Sequence, residues 1–312
     1  MATYLITGGC GFIGSHIAEA LCEQGETVRI LDNLSSGYRH NVAHLSEGVT
    51  VIEGDVRDVE TVSAATEGVD YVFHEAALVS VFDSVERPRD NHDINLTGTL
   101  NVLEAAKSAG AQRVVLASSA AIYGNAPELP KEETMRPQPE SPYGLAKIGK
   151  EYYARVFSTL YDLPVISLRY FNVYGPRQDP GSPYSGVISK FVEIITGGGT
   201  PTIFGDGTQS RDFVFVKDVV QANLKAMHEE ALKGGEVFNV ATGDGTSLLE
   251  LLETVQRIAE VKGDPTFEAE RLGDIKHSRA DIGSARRSLG YEPSYSVERG
   301  LRELIAWSMN LS

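Results

Sequence analysis

Two hydrophobic periods alternate along the first 170 residues. Short continuous apolar runs at Tyr4–Thr7, Thr27–Leu31, Val49–Glu53, Val69–His74, Arg113–Ser118 and Val165–Tyr170 read as strands buried on both faces. Between them, Phe12–Gln24, Val59–Thr66, Ile94–Ala109 and Tyr143–Tyr161 carry apolar residues at helical spacing. This alternation predicts βαβ crossovers, and so an α/β fold with a doubly wound parallel sheet. The rest of the chain is less regular. A Gly/Pro-rich stretch from Gly175 to Gly186 marks a loop region, and helical patterns return at Val187–Thr196, Val216–Glu230, Ser247–Val261 and Ser296–Met309. The expected division is a sheet domain over residues 1–172 and a smaller C-terminal α/β lobe over residues 173–312. Asp212–Val216 and Val237–Val240 read as strands that could return to the first sheet.

Composition narrows the function classes. A chain of 312 residues suits one large domain or two small ones, and it can build a core without disulfide or metal staples. The two cysteines, Cys10 and Cys22, are too few for a disulfide framework and suit a reducing compartment. With 28 Lys+Arg against 43 Asp+Glu, the net charge is −15, which opposes docking on nucleic acid or an anionic membrane. No apolar run reaches the roughly 18 residues of a membrane span. The opening residues lack a signal-peptide pattern, and no Cys/His cluster has metal-ligand spacing. A cytoplasmic, globular, metal-free protein is expected.

Candidate chemistry begins where the first strand ends. Gly8, Gly11 and Gly14 form a G-x-x-G-x-x-G turn that opens a helix at Phe12-Ile13. Glycines let the backbone approach a pyrophosphate, and the helix start aims free N–H groups and a positive dipole end at it. In this strand–turn–helix context the pattern predicts a Rossmann-type dinucleotide site. Asp32 ends the second strand 18 residues after Gly14, where a carboxylate accepts both adenosine ribose hydroxyls and repels a 2′-phosphate. That favours NAD over NADP. The neighbouring Asn33 joins this group, and Asp55-Val56, after the third strand, is a candidate adenine contact.

A second cluster lies later in the chain. Tyr143 and Lys147 stand four residues apart, on one face of a predicted helix. An unperturbed phenol, with a pKa of about 10, is a poor base at neutral pH. A nearby ammonium stabilises the phenolate. The strand ending Ala117-Ser118-Ser119 should bring Ser119 to the sheet's carboxyl edge, where doubly wound sheets bind ligands.

Gly8–His16, His74–Ala77, Asn95–Thr99, Ser118–Gly124, Ser141–Lys147, Arg169–Asn172, Arg211–Phe213 and Arg271–Asp274, in this order, resemble the extended short-chain dehydrogenase/reductases over nearly the whole chain. Within them the sequence is most similar to the NAD-dependent UDP-sugar 4-epimerases. The resemblance implies Tyr143 as catalytic base, Lys147 on the nicotinamide ribose and Ser119 on the sugar 4-hydroxyl. It places His74, Ala76, Ala77 and Tyr170 along the cofactor cleft, and Asn95 as a structural brace. It sets the apolar loop Leu78–Val81, with Val79, beside the sugar. It assigns Asn172, Arg211 and Arg271 to the nucleotide-sugar phosphates and Asp274 to the uridine ribose. Phe204 and Val187 are further substrate contacts, Phe204 as a stacking partner for uracil. Arg177 is a weaker phosphate candidate.

The activity so implied is inversion at C4 of a UDP-hexose through a transient 4-keto sugar. Dehydratases of the superfamily carry an acid after the catalytic Thr/Ser, whereas Ser119 is followed by Ala120-Ala121. By the same resemblance, Ser278, four residues after Asp274, takes the position whose bulk gates the pocket near C2 in the epimerases. A small residue there implies that UDP-GlcNAc/UDP-GalNAc are accepted beside UDP-Glc/UDP-Gal. The alternatives are a UDP-uronate epimerase or decarboxylase or another nucleotide-sugar enzyme of this superfamily and, from another class, a non-catalytic NAD-binding regulator. The family also implies a homodimer built on Asp93–Ala109 and Tyr143–Tyr161.

Overall fold

The computed structural model describes residues 1–45, 48–179, 186–270 and 276–309. Its strands are β1 (Thr3–Thr7), β2 (Thr27–Asp32), β3 (Val49–Glu53), β4 (Tyr71–His74), β5 (Arg113–Ser119), β6 (Val165–Tyr170), β7 (Asn172–Tyr174), β8 (Thr202–Phe204), β9 (Ser210–Arg211), β10 (Phe213–Phe215), β11 (Val237–Val240), β12 (Thr246–Ser247) and β13 (Thr266–Glu268). Its α-helices are α1 (Phe12–Glu23), α2 (Val59–Thr66), α3 (Val81–Glu86), α4 (Pro88–His92), α5 (Gly98–Ala109), α6 (Pro142–Leu160), α7 (Val187–Thr196), α8 (Val216–His228), α9 (Leu248–Ala259), α10 (Gly283–Leu289) and α11 (Val297–Met309). None of the described helices is long and apolar enough to cross a membrane.

Seven strands form one parallel sheet in the order β11-β6-β5-β4-β1-β2-β3. Every residue of β6 is buried, as are the first six of β5, which explains their unbroken apolar character. One face carries Ile17 and Leu21 of α1 with Val219, Ala222 and Ala226 of α8. The other carries Val62 of α2, Val102 and Leu103 of α5, and Ala154 and Phe157 of α6. A third core, with Phe191, Ile203, Phe213, Phe215, Leu251 and Leu304, fills the C-terminal lobe. Ile13 packs against both this lobe and the sheet core.

The strand order reverses between β1 and β4. Chain leaving β1 turns toward β2 and β3, and chain leaving β4 turns toward β5 and β6. The crevice at that switch point is where open α/β sheets bind ligands.

Three expectations differ from the structure. Residues 212–216 do not join the large sheet: β10 pairs in parallel with β7, and Val216 already opens α8. The segment from Ile94 is not one regular helix, because a π-helical turn at Asp93–Thr97 precedes α5. Val81 is not loop but the first residue of α3, capped by the Ser80 side chain on Asp83 N at 2.8 Å. Such short elements leave too little periodicity to be read from sequence. β11, by contrast, does return to the sheet beside β6.

Helix α6 is held to the sheet by an ion pair taken wholly out of water. Arg169 of β6 donates Nε and Nη2 to the two carboxylate oxygens of Glu151 at 2.9 and 2.8 Å. Ser118 of β5 adds a hydroxyl bond to Glu151 at 2.6 Å, and Arg169 Nη1 reaches the Tyr123 hydroxyl at 2.8 Å. Burial alone would lower the arginine's pKa, but its bonds to Glu151 outweigh that and raise it.

Glu151→Leu should therefore strand a buried cation and lower stability by about 3–5 kcal/mol. Adding Arg169→Met to it should recover a large part of the loss, read as the shift of the urea midpoint. Equal losses for the single and double variants would show that the two side chains are not coupled.

Candidate active site

The turn after β1 is built for close approach. Gly8 has φ +73°, and a Cβ there would meet Ala76 N of the β4 exit at 2.7 Å. A Cβ on Gly14 would meet the Gly8 carbonyl oxygen at 2.3 Å. Gly11 begins α1 without any capping side chain, so the helix start keeps backbone donors for an anion. Phe12 and Ile13 anchor this turn by packing on the lobe core. The arrangement is a cradle that fits a dinucleotide pyrophosphate, since side chains at these glycines would fill it.

Asp32 stands at the end of β2, and its carboxylate is buried against the turn. Oδ2 accepts from Cys10 N at 2.9 Å, and Oδ1 accepts from Leu34 N at 2.8 Å. Asp32 thus fixes the loop, and its remaining lone pairs are available to a ribose. Asn33 donates to Asp55 Oδ2 at 2.9 Å, so these two candidates do meet. Asp55 is also bonded by the Arg57 guanidinium, which holds its carboxyl well below the usual range. Val56 is buried under Gly98, and its carbonyl accepts from Asn101 at 2.9 Å. The Cys10 thiol is pushed up to about 11, first by burial and then by Asp32, which makes it unreactive.

At the exit of β4, His74 has both ring nitrogens engaged. Nδ1 meets Thr7 Oγ1 of β1 at 2.7 Å, and Nε2 meets Thr99 Oγ1 of α5 at 2.9 Å. Burial, then Lys150 and Lys147, push its pKa well below the ordinary histidine value, so the ring is neutral. His74 can brace the cleft but has no free nitrogen to offer a ligand. Ala76 and Ala77 follow, partly buried, with Ala76 N against Gly8. Asn95, in the π-helical turn, receives Leu78 N and donates to Leu78 O, each at 3.0 Å. Val79 is exposed beside it.

Ser119 ends β5 in register with Tyr170 of β6. Helix α6 packs across both strands. Its start is set by Ser141, whose side chain accepts Gly144 N at 3.1 Å, and by Pro142 in the first turn. This brings Tyr143 and Lys147 to the carboxyl end of β5. The Lys147 Nζ lies 5.4 Å from the Tyr143 ring centroid and donates to Ala117 O at 3.0 Å. Ser119 Oγ accepts from Ala121 N at 3.1 Å, which orients the hydroxyl at the strand end.

On the lobe side, Asn172 opens β7, with Nδ2 donating to Asp212 O at 3.3 Å. Arg211 and Ser278 lie on adjacent backbone segments, because Ser278 N donates to Ser210 O at 3.0 Å. Arg211 Nη1 reaches Ser210 O at 3.0 Å. Phe204 closes β8 before Gly205, and Val187 opens α7, both partly buried. Arg271 and Asp274 fall outside the described residues. Arg177 turns onto α1, where it pairs with Glu19 at 2.7 Å, which opposes a phosphate role.

Sequence reasoning placed Tyr170 here but missed Glu75, Asn223 and Asp212. Tyr170 donates to Glu75 Oε1 at 2.8 Å and is bonded by Asn223 Nδ2 at 2.8 Å. Burial, then Glu75, raise the Tyr170 pKa well above its usual value, so its hydroxyl stays protonated and donates to Glu75. Asp212 receives Thr242 N, Gly243 N and Ala280 N, stapling the strand that carries Arg211. The adjacency of Glu75 to His74 and of Asp212 to Arg211 was a visible signal. The tertiary partners were not.

The model of the NAD dependent epimerase/dehydratase family matches residues 4–241. A putative UDP-glucose 4-epimerase of Methanocaldococcus jannaschii is 39% identical over 98% of both chains. A UDP-glucuronate 4-epimerase of Thermodesulfobacterium geofontis is 33% identical over 99% of this chain and 96% of its own. The solved UDP-N-acetylglucosamine 4-epimerase of Methanobrevibacter ruminantium M1, in complex with UDP-N-acetylmuramic acid, superposes with a TM-score of 0.95 at 39% identity. It covers 100% of this chain and 99% of its own. With this match over most of its length and its glycine cradle at the β1–β4 switch point, the chain belongs to the NAD-dependent epimerase/dehydratase family.

Proposed function

We propose that the protein is a UDP-hexose 4-epimerase that accepts 2-acetamido sugars as well as UDP-Glc/UDP-Gal. The observation that carries this reading is the placement of Tyr143 and Lys147 at the end of β5, beside a Ser119-Ala120-Ala121 segment that holds no acid.

Gly8, Gly11, Phe12, Ile13 and Gly14 hold the pyrophosphate, and Asp32 with Asn33 meets the adenosine ribose. Asp55-Val56 borders the adenine, and Tyr170, Ala76 and Ala77 line the nicotinamide side. NAD held there would supply the two-electron acceptor for hydride from C4 and the donor for its return to the opposite face. Tyr143, as phenolate, takes the 4-hydroxyl proton while Ser119 bonds the same oxygen. Lys147 holds the ribose and stabilises the phenolate. The 4-keto sugar turns about its phosphate linkage, and Tyr143 returns the proton. Asn172, Arg211 and Arg271 keep the diphosphate in place, and Asp274 keeps the uridine ribose. Arginine suits this through its planar fork of donors.

Ala120 and Ala121 offer no hydrogen-bonding side chain to a 6-carboxylate, which favours a hexose over a uronate. The small Ser278, in register beside Arg211, favours room at C2. The exposed apolar stripe Leu145, Tyr152, Val156 and Leu160 on α6 supports a homodimer packed through α5 and α6. Two free cysteines accord with a cytoplasmic setting.

Tyr143→Phe is expected to lower kcat about 10²–10⁴-fold while NAD stays bound, measured by turnover of UDP-Glc and NAD release on denaturation. Wild-type turnover would remove Tyr143 as the base. Ser278→Tyr should depress turnover of UDP-GlcNAc by about tenfold or more and leave that of UDP-Glc within about threefold. Equal loss on both sugars would sink the gate.

A further inference from the structure

A helix start leaves its first N–H groups without helical partners. In α6 the cap Ser141 serves Gly144 N, one residue beyond the tyrosine. The Tyr143 N–H is bonded instead by the Ser84 hydroxyl oxygen of α3, at 3.1 Å. Ser84 is fully buried, and its own proton is committed to Val81 O at 2.6 Å, so its lone pairs are directed at Tyr143 N. The Pro142 carbonyl, the other polar end of the same peptide unit, accepts from Asn91 Nδ2 at 3.0 Å. Asn91 Oδ1 is in turn taken by Asn95 Nδ2 at 2.8 Å, which settles which end of the amide faces Pro142.

We propose that Ser84 and Asn91 are positioning residues: they grip both ends of the Pro142–Tyr143 peptide unit and thereby set the direction of the Tyr143 side chain. This rests on Tyr143 as the base. The grip is continuous with the sugar side of the site, because Asn95 also holds both backbone groups of Leu78. It is continuous with the cofactor cleft too. The Asn95 carbonyl accepts from Thr99 Oγ1 at 2.7 Å, and Thr99 meets His74, which meets Thr7 at the end of β1. One buried chain of hydrogen bonds therefore runs from the glycine turn to the base. Arg211 and the lobe lie outside it. Loosening the grip should thus misplace the base and leave nucleotide binding intact.

The test uses Ser84→Ala and Asn91→Ala in the full-length, NAD-loaded enzyme with UDP-Glc. Each should lower kcat about ten- to a hundredfold with KM held within about twofold. The rate of bound-NADH appearance in a single turnover should fall in step with kcat. Ser84→Thr, which keeps the hydroxyl, should recover most of the rate. Either kcat per folded enzyme within about twofold of the parent, or kcat and KM altered together without recovery in Ser84→Thr, would overturn the inference. If one variant does not fold, the other decides. Inactive Tyr143→Phe beside a fully active Ser84→Ala would reject only this inference; active Tyr143→Phe would reject the base itself.

Discussion

The buried pair between Arg169 and Glu151 is the constraint on which the geometry of the site hangs. Each partner is about 4% exposed, so neither charge has water as an alternative. The pair joins the middle of α6 to β6 and, through Ser118, to β5. Its orientation is set again by Tyr123, whose hydroxyl donates to Asn239 of β11 at 2.7 Å. Such a pair contributes more to uniqueness of arrangement than to net stability, because desolvation offsets most of its attraction. Helix α6 can slide only by breaking it. Since Lys147 and Tyr143 lie about one and two turns upstream of it on the same helix, their register over β5 follows.

A second constraint acts at the other end of α6. The Ser84 and Asn91 bonds fix the helix start, and the ion pair fixes its middle. Between these two points the tyrosine and lysine have little freedom. The π-helical turn at Asp93–Thr97 belongs to the same system, because it carries Asn95 to both groups of Leu78. A wider turn at this place fits the general tendency of such turns to mark functional positions.

Charge shows how far global and local electrostatics can part. The chain carries a net −15, yet the cradle at the switch point is made of backbone donors at the start of α1, with no carboxylate in its first turn. Asp32, which borders the turn, accepts from two backbone N–H groups. The overall charge governs solubility and repulsion between copies, whereas a diphosphate responds to a few placed donors.

Much of this was legible in the chain. Buried parallel strands must be nearly continuously apolar, so β1, β2, β4, β5 and β6 declared themselves within a residue or two; β3, an edge strand with no fully buried residue, was readable from its valines and isoleucine. The glycine turn was readable because close backbone approach there leaves no room for a Cβ: one on Gly8, at φ +73°, would strike Ala76 N, and one on Gly14 would strike Gly8 O. The four-residue spacing of Tyr143 and Lys147 gave one helix face by geometry alone. The short elements around residues 81–97, and β8, β9, β12 and β13, were not readable, since two to six residues hold too little pattern to outweigh tertiary context. Nor could the sequence show that His74 spends both nitrogens on threonines, that Asp212 staples three backbone amides, or that Ser84 and Asn91 grip the peptide before Tyr143. Those partners lie 25 to 68 residues apart along the chain in no regular period, and only the closing of the sheet brings them within hydrogen-bond reach. Local spacing determined which residues could do the chemistry; long-range packing decided how each one is held.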